Sequence, residues 1–167
     1  EYELVLDEQK LSKKASELIS NWPEQIAYPS NKSDRDQSWK KVEEFYKNAG
    51  KKDEGNLFYN HTEYMRIFIM AMAIGRNRKD CRFWHELEGA KKMKSMPKSA
   101  LHEEEIWLMT SIAIAHEKST RVINDPKRIV EICEGYANGG IGVLMSWDAA
   151  GTMDRYEEEI LGLSEKI

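Results

Sequence analysis

The chain has little of several features that define whole classes of protein. Its two cysteines, Cys81 and Cys133, are too few and too far apart in sequence to suggest a disulfide framework or a zinc site, so a cytosolic setting is expected. Its four prolines and ten glycines form no tract, which argues against a low-complexity linker or a long disordered tail. No signal peptide or lipidation motif is visible. These absences favour a single domain over residues 1–167, long enough to bury a core.

The longest apolar run, from Ile67 to Ile74, is too short to cross a membrane. A spanning helix needs about 20 apolar residues, whereas this run covers about two helical turns and has an arginine on each side. Its apolar side chains fall on every side of a 3.6-residue helix, which is typical of a helix surrounded by protein. The pattern predicts a buried central helix, capped by Asn60 and ended by Gly75, and no membrane contact.

Helical periodicity and capping residues predict most of the remaining structure. Residues 23–35 have no periodicity and two prolines, so they are predicted as a surface loop. The segment after the central helix is predicted to be irregular, with at most one short element. The fold class is therefore all-α: an orthogonal bundle of six or seven helices around the central helix, with at most one small strand pair. The further helices are predicted from Asp7 to Pro23, from Asp36 to Ala49, from Leu101 to Lys118, from Pro126 to a stop at Asn138–Gly140, from Ile141 to Asp148, and onward from Thr152.

Positive charge is concentrated in one segment of an otherwise acidic protein. Between Arg76 and Lys98 there are eight basic and three acidic residues, although the whole chain has a net charge of −4. Phe83 and Trp84 lie among them. Lysine and arginine side chains bind nucleic-acid phosphates, and aromatic side chains stack on bases. A basic loop with its aromatics in the core, or an ionic contact with an acidic protein, are the alternative interpretations. The candidate nucleic-acid or partner-binding residues are Arg76, Arg78, Lys79, Arg82, Lys91, Lys92 and Lys94.

The usual motifs of catalytic and cofactor sites are missing from the sequence. There is no Gly-x-Ser-x-Gly nucleophile elbow and no phosphate-binding glycine-rich loop after a strand. Gly139 and Gly140 follow a predicted helix end, so they are interpreted as a helix cap and a point of close packing. We therefore expect no catalytic residues, no cofactor and no metal.

One predicted helix face carries residue types that metal sites use. His102, Glu105 and His116 share this face with apolar residues, and buried polar groups need partners. Di-iron bundle proteins use Glu-x-x-His from two helices, whereas this chain has the reverse order, His-x-x-Glu. Glu105 and His116 are also about 16 Å apart along the helix axis. A metal-dependent hydrolase or nuclease using this face is the alternative to purely structural roles.

Two stretches are distinctive when taken together. The first is the apolar helix ending Met-Ala-Met-Ala-Ile-Gly75 with basic residues after it, and the second is the later block that ends Tyr136-Ala-Asn-Gly-Gly140. Together they resemble a small family of accessory proteins encoded beside DNA-phosphorothioation (dnd-type) modification genes. In that family a Glu precedes the tyrosine, where this chain has Gly135, and a Leu stands in place of Ile141. The resemblance spans roughly residues 64–144, and its middle, from Asp80 to Lys98, departs from the family pattern.

The resemblance implies a non-catalytic accessory subunit of a prokaryotic defence system that marks or attacks DNA. The implied partners are other defence-system proteins and DNA, and no catalytic residues are carried over. The motif residues also have a structural explanation. Tyr136 would anchor a helix end in the core, Asn138 or Gly139 would take the left-handed conformation, and Gly140 would allow a tight turn.

Overall fold

The computed structural model describes residues 8–27, 64–87 and 95–149. Within these ranges the chain is mostly helical and contains one two-stranded antiparallel sheet, which confirms the predicted helical class and the small strand pair. The described ranges hold four α-helices rather than six or seven; the predicted helices over 36–49 and after Thr152 lie outside them. The elements are α1 (Glu8–Ser20), β1 (Gln25–Ala27), α2 (Tyr64–Asn77), β2 (Ser95–Pro97), α3 (Glu103–Glu117) and α4 (Pro126–Ala149), with 3-10 helices at Trp84–Glu86, Lys98–Ala100 and Thr120–Asn124.

The packed pair of α2 and α4 forms the centre of the fold. α2 is buried on nearly all sides, with Phe68, Ala71 and Met72 fully enclosed, so the prediction of a buried central helix is confirmed. α4 begins at Pro126 as predicted, and the Asp125 carboxylate accepts the Arg128 N–H at 3.1 Å as its N-terminal cap. α3 packs against α4, and α1 packs against α3. The buried hydrophobic residues that α4 contributes are Ile129, Val130, Ile132, Cys133, Tyr136, Ala137, Ile141 and Leu144.

Glycines bring the backbones of α2 and α4 into direct contact. A Cβ placed on Gly140 would lie 1.8 Å from the carbonyl oxygen of Ala71, and one on Gly75 would lie 1.9 Å from that of Tyr136. Both distances are far shorter than van der Waals contact, and the obstructing atoms are backbone atoms that cannot rotate away. The two helices can therefore cross this closely only because neither residue has a side chain.

α4 runs without a break through Asn138, Gly139 and Gly140. The prediction that these residues end one helix, and that a second begins at Ile141, is therefore wrong: a single helix spans Pro126–Ala149. The predicted left-handed conformation at Asn138 or Gly139 is wrong for the same reason. Glycine in a helix interior costs about 1 kcal/mol relative to alanine, but here the close approach of neighbouring backbone leaves no room for alanine.

α2 also ends later than predicted. Gly75 was the predicted left-handed stop, yet the helix continues to Asn77 and Lys79 takes the left-handed conformation, with φ of 56°. The Asp80 N–H donates to the Gly75 carbonyl at 2.9 Å, and the Lys79 N–H donates to the Arg76 carbonyl at 3.2 Å. This pair of hydrogen bonds is a Schellman closure. Gly75 is therefore required for the close contact with α4, and Lys79 is the left-handed residue that ends the helix.

A small sheet ties the N-terminal segment to the rest of the described structure. Ile26 of β1 pairs with Met96 of β2, and both side chains are buried. The predicted surface loop over residues 23–35 is therefore wrong for Gln25–Ala27. The buried carboxylate of Glu134 on α4 accepts the Ala27 N–H at 2.7 Å, which fastens β1 to the central helix pair.

Replacing either helix-crossing glycine by alanine should destabilise the fold. We expect Gly75→Ala and Gly140→Ala each to cost about 3 kcal/mol in free energy of unfolding, the upper end of overpacking penalties, despite the better helix propensity of alanine. Gly135→Ala should cost less, because its added Cβ would meet the Cys81 sulfur, a side-chain atom, at 2.7 Å. Urea unfolding followed by circular dichroism measures the series. Ser146→Ala, at an exposed α4 position, is the control and should change the free energy of unfolding little. If the glycine variants were as stable as this control, the close approach of the two helix backbones would be contradicted.

Removing the buried carboxylate of Glu134 should also destabilise the fold. Glu134→Ala leaves the Ala27 N–H buried without this acceptor, which costs about 1–3 kcal/mol. Glu134→Gln retains an acceptor oxygen and should lose less. Glu131→Ala is the matched control one turn earlier on α4. Glu131 is partly exposed, and its ion pair with Arg128 is long, at 3.8 Å, so its removal should cost little stability. Urea unfolding that ranks Glu131→Ala as the more damaging change would contradict the role assigned to Glu134.

Candidate functional site

Four of the seven predicted basic residues lie together at the C-terminal end of α2. Arg76 is in the last turn of the helix and is partly buried, whereas Arg78 and Lys79 in the closing turn are exposed. Arg82 follows in the extended segment and is also exposed. These four residues are called the basic surface below. The other three predicted residues, Lys91, Lys92 and Lys94, lie outside the described part of the chain.

Arg82 is held in place from both its backbone and its side chain. Its guanidinium donates two hydrogen bonds to the Asp80 carboxylate, at 2.9 and 2.8 Å, and this pairing raises the pKa of Arg82. Its N–H donates to the Gly135 carbonyl at 2.9 Å, and the Asn138 side-chain amide donates to the Arg82 carbonyl at 3.1 Å. Arg82 is therefore a rigid member of the basic surface whose charge is partly offset by Asp80.

Arg76 lies at one end of a row of aromatic side chains. Its guanidinium lies over the ring of Tyr136, 5.6 Å from the ring centroid, in a cation–π contact. The Tyr136 hydroxyl is hydrogen-bonded to Nδ1 of His116 at 2.8 Å, and the two rings meet edge to face. Tyr136 was predicted to anchor a helix end in the core. Its side chain is buried, but α4 does not end there, and the Tyr136 hydroxyl reaches the imidazole on α3.

The row continues from His116 to a second arginine. The His116 ring meets the ring of Phe83 edge to face, with centroids 6.0 Å apart. The guanidinium of Arg128, on α4, lies over Phe83 at 5.0 Å from the centroid. Arg128 is also paired with Glu117 at 2.6 Å. The aromatic row formed by Tyr136, His116 and Phe83 thus has a guanidinium at each end.

The surroundings of His116 favour the neutral form of its imidazole. Burial lowers the pKa of His116, and the positive charges of Arg128 and Arg76 lower it further, against an opposing effect of Glu117. Burial likewise raises the pKa of the Tyr136 hydroxyl. These shifts favour an uncharged pair in the hydrogen bond between them, and the positive charges beside the aromatic row are those of Arg76 and Arg128.

The two cysteines do not form a reactive centre. Burial, together with the negative charge of Glu86, raises the pKa of Cys81 to about 11, and burial raises the pKa of Cys133 as well. Both are free thiols. Cys133 is fully buried on the apolar face of α4. Because the thiolate is the nucleophilic form, this environment disfavours cysteine chemistry.

The residues of the metal-site alternative are separated along α3. His102 is the N-cap residue, and its backbone N–H donates to the Glu105 carboxylate at 2.8 Å, so these two form the start of the helix. His116 lies at the other end of α3, about 21 Å from His102 along the axis, and faces Tyr136. Within the described ranges, no group of three or more His, Cys, Asp and Glu side chains is arranged to hold a metal ion.

Sequence reasoning missed two residues of this site, Arg128 and His85. Arg128 lies on α4, far from the basic segment in sequence, and reaches Phe83 only because the segment after α2 packs along α4. His85 stacks on Phe83, and a lone histidine in an aperiodic stretch gives no signal of such a stack. Asn138 and Gly139, by contrast, were predicted as a structural motif, and they do contact that segment.

No protein-family model, no curated protein and no solved structure matches this chain. In the described ranges, none of the helices combines the length and the apolar character that crossing a bilayer requires.

The neutral imidazole of His116 should make stability depend on pH. Because the pKa of His116 is lower in the folded than in the unfolded state, the unfolded state binds more protons as the pH falls, and stability should decline from about pH 7 towards about pH 5. His116→Gln retains a hydrogen-bond partner for Tyr136 but does not titrate, so its decline should be shallower. Urea midpoints across this pH range measure the difference. His102→Gln, at an exposed position, is the control, and parallel curves for wild type and His116→Gln would contradict the prediction.

Proposed function

We propose that this chain is a non-catalytic helical subunit of a prokaryotic DNA phosphorothioation-linked defence system, and that its basic surface contacts DNA phosphates. The observation that carries the contact is the grouping of Arg76, Arg78, Lys79 and Arg82 at one helix end. The defence setting is supported by the resemblance in residues 64–144 alone.

The positions of the charges favour a contact with an extended anion. Arg78 and Lys79 are exposed on the closing turn of α2, and Arg82 is fixed by its hydrogen bonds to α4 and Asp80. Cations held at fixed positions lose less side-chain entropy when they bind a row of phosphates. Release of counterions from DNA would then supply much of the affinity.

A structural role explains part of the basic surface, but not all of it. Cations near a helix C-terminus interact favourably with the helix dipole, by roughly 0.3–1 kcal/mol each, and Arg76 additionally covers the Tyr136 ring. Lys79, however, occupies a left-handed position where glycine would be favoured. The helix end therefore does not require a lysine at this position.

Lys79→Gly separates the binding role from the folding role. The glycine removes one charge and suits the left-handed backbone, so we expect unchanged or higher stability together with weaker DNA binding. Combining it with Arg78→Glu should weaken binding by about tenfold or more at low salt and reduce the steepness with which affinity falls as salt rises. Fluorescence anisotropy with a labelled duplex over a salt series measures both quantities.

Lys13→Glu is the control for the total charge of the protein. Lys13 is exposed on α1, outside the basic surface, so this variant should bind DNA nearly as wild type does. If the wild-type protein binds neither duplex nor single-stranded DNA, or if Lys13→Glu weakens binding as much as Arg78→Glu, the DNA contact is not made by the basic surface. Co-purification with products of neighbouring genes that depends on Arg78 and Lys79, without DNA binding, would assign the surface to a protein partner instead.

A further inference from the structure

An exposed ring stack lies directly beside the basic surface. The His85 imidazole is parallel to the Phe83 ring, with 8° between the planes and 5.6 Å between the centroids. The Arg128 guanidinium also lies over Phe83, while His85 itself is exposed. Because His85 is exposed and its ring stacks on Phe83, it presents a flat surface to another planar group.

The turn that carries His85 is closed by hydrogen bonds. The Glu86 carboxylate accepts the Phe83 N–H at 3.0 Å, and the Glu86 N–H donates to the Phe83 carbonyl at 3.0 Å. The Leu87 N–H donates to the Trp84 carbonyl at 3.2 Å. The backbone around His85 is therefore fixed before any ligand arrives, which reduces the entropy lost when a ring stacks on it.

The chemistry that suits this surface is a planar ring attached to an anion. Arg82 precedes His85 by three residues, so their Cα atoms are at most about 11 Å apart. A nucleobase provides the planar ring, and the phosphates on either side of it provide the anion. Base–aromatic stacking of this kind tolerates any base, because every base has a π-face. In a duplex the faces of internal bases are already stacked on their neighbours, so only an unpaired base offers a free face.

We infer that His85, supported by Phe83, is a stacking site for an unpaired nucleobase whose flanking phosphates meet Arg82 and the rest of the basic surface. This inference rests on the proposed function, since it requires that the anionic partner is DNA. It narrows that partner to single-stranded DNA, or to DNA with an unstacked base.

The test compares three labelled probes by fluorescence anisotropy: a short single strand, an abasic strand of equal length, and a hairpin duplex. His85→Ala should weaken binding of the single strand by roughly 5- to 150-fold, the range for loss of one base–aromatic stack. Binding of the abasic strand should not change. His85→Trp restores a flat ring and should recover the affinity. His102→Ala, which removes another exposed histidine, should bind every probe as wild type does, and circular dichroism confirms that each variant is folded.

The results separate this inference from the proposed function. Salt-dependent duplex binding that is equal to single-strand binding and insensitive to His85→Ala would overturn the stacking site but leave the DNA contact standing. Equal losses on the base-containing and abasic strands would also overturn it, because His85 would then contact the backbone. If the protein binds none of the three probes, both the stacking site and the DNA contact are overturned. Binding of an acidic protein that depends on His85 would then assign the ring stack to protein recognition.

Discussion

The contact between the backbones of α2 and α4 is the constraint on which the rest of the described structure depends. Gly75 and Gly140 let the two helices approach until carbonyl oxygens occupy the space where side chains would otherwise lie. Such a crossing permits little sliding, because any shift would bring a side chain against a backbone atom. It also sets the register of the site: the Tyr136 carbonyl touches Gly75, so the Tyr136 ring lies beside Arg76, the next residue of α2.

The same helix face guides the segment that leaves α2. Gly139 accommodates the Asp80 carbonyl, Gly135 accommodates the Cys81 sulfur, and the Gly135 carbonyl accepts the Arg82 N–H. The chain therefore lies along α4 over these residues, although it has no regular secondary structure there.

This placement brings Phe83 into contact with Arg128 and His116 and leaves Arg82 on the surface. The basic surface and the aromatic row are thus two consequences of one packing arrangement.

Sequence alone predicts the parts of this arrangement that are local. The all-round apolar pattern identified α2 as buried, and Asp125-Pro126 marked the start of α4. Prediction from sequence failed where one residue type serves two purposes. Glycine either adopts a left-handed conformation at a helix end or makes room for a neighbouring backbone, and Gly139-Gly140 looks the same in sequence in both cases. A strand of three residues, such as Gln25–Ala27, is too short to show a period. Contacts between distant segments, such as Arg128 with Phe83, leave no local pattern.

The motif that looked most specific in sequence contacts mainly the chain itself. Tyr136 bonds to His116, Asn138 holds the Arg82 carbonyl, and Gly139 and Gly140 touch backbone. A fixed frame of this kind explains the residue types without any ligand. In the proposed DNA contact, recognition falls to side chains that this frame holds but does not enclose, at the end of α2 and on the following turn. Substitutions in the motif would disturb the fold itself, whereas changes at those exposed side chains would test the proposed contact with little effect on the fold.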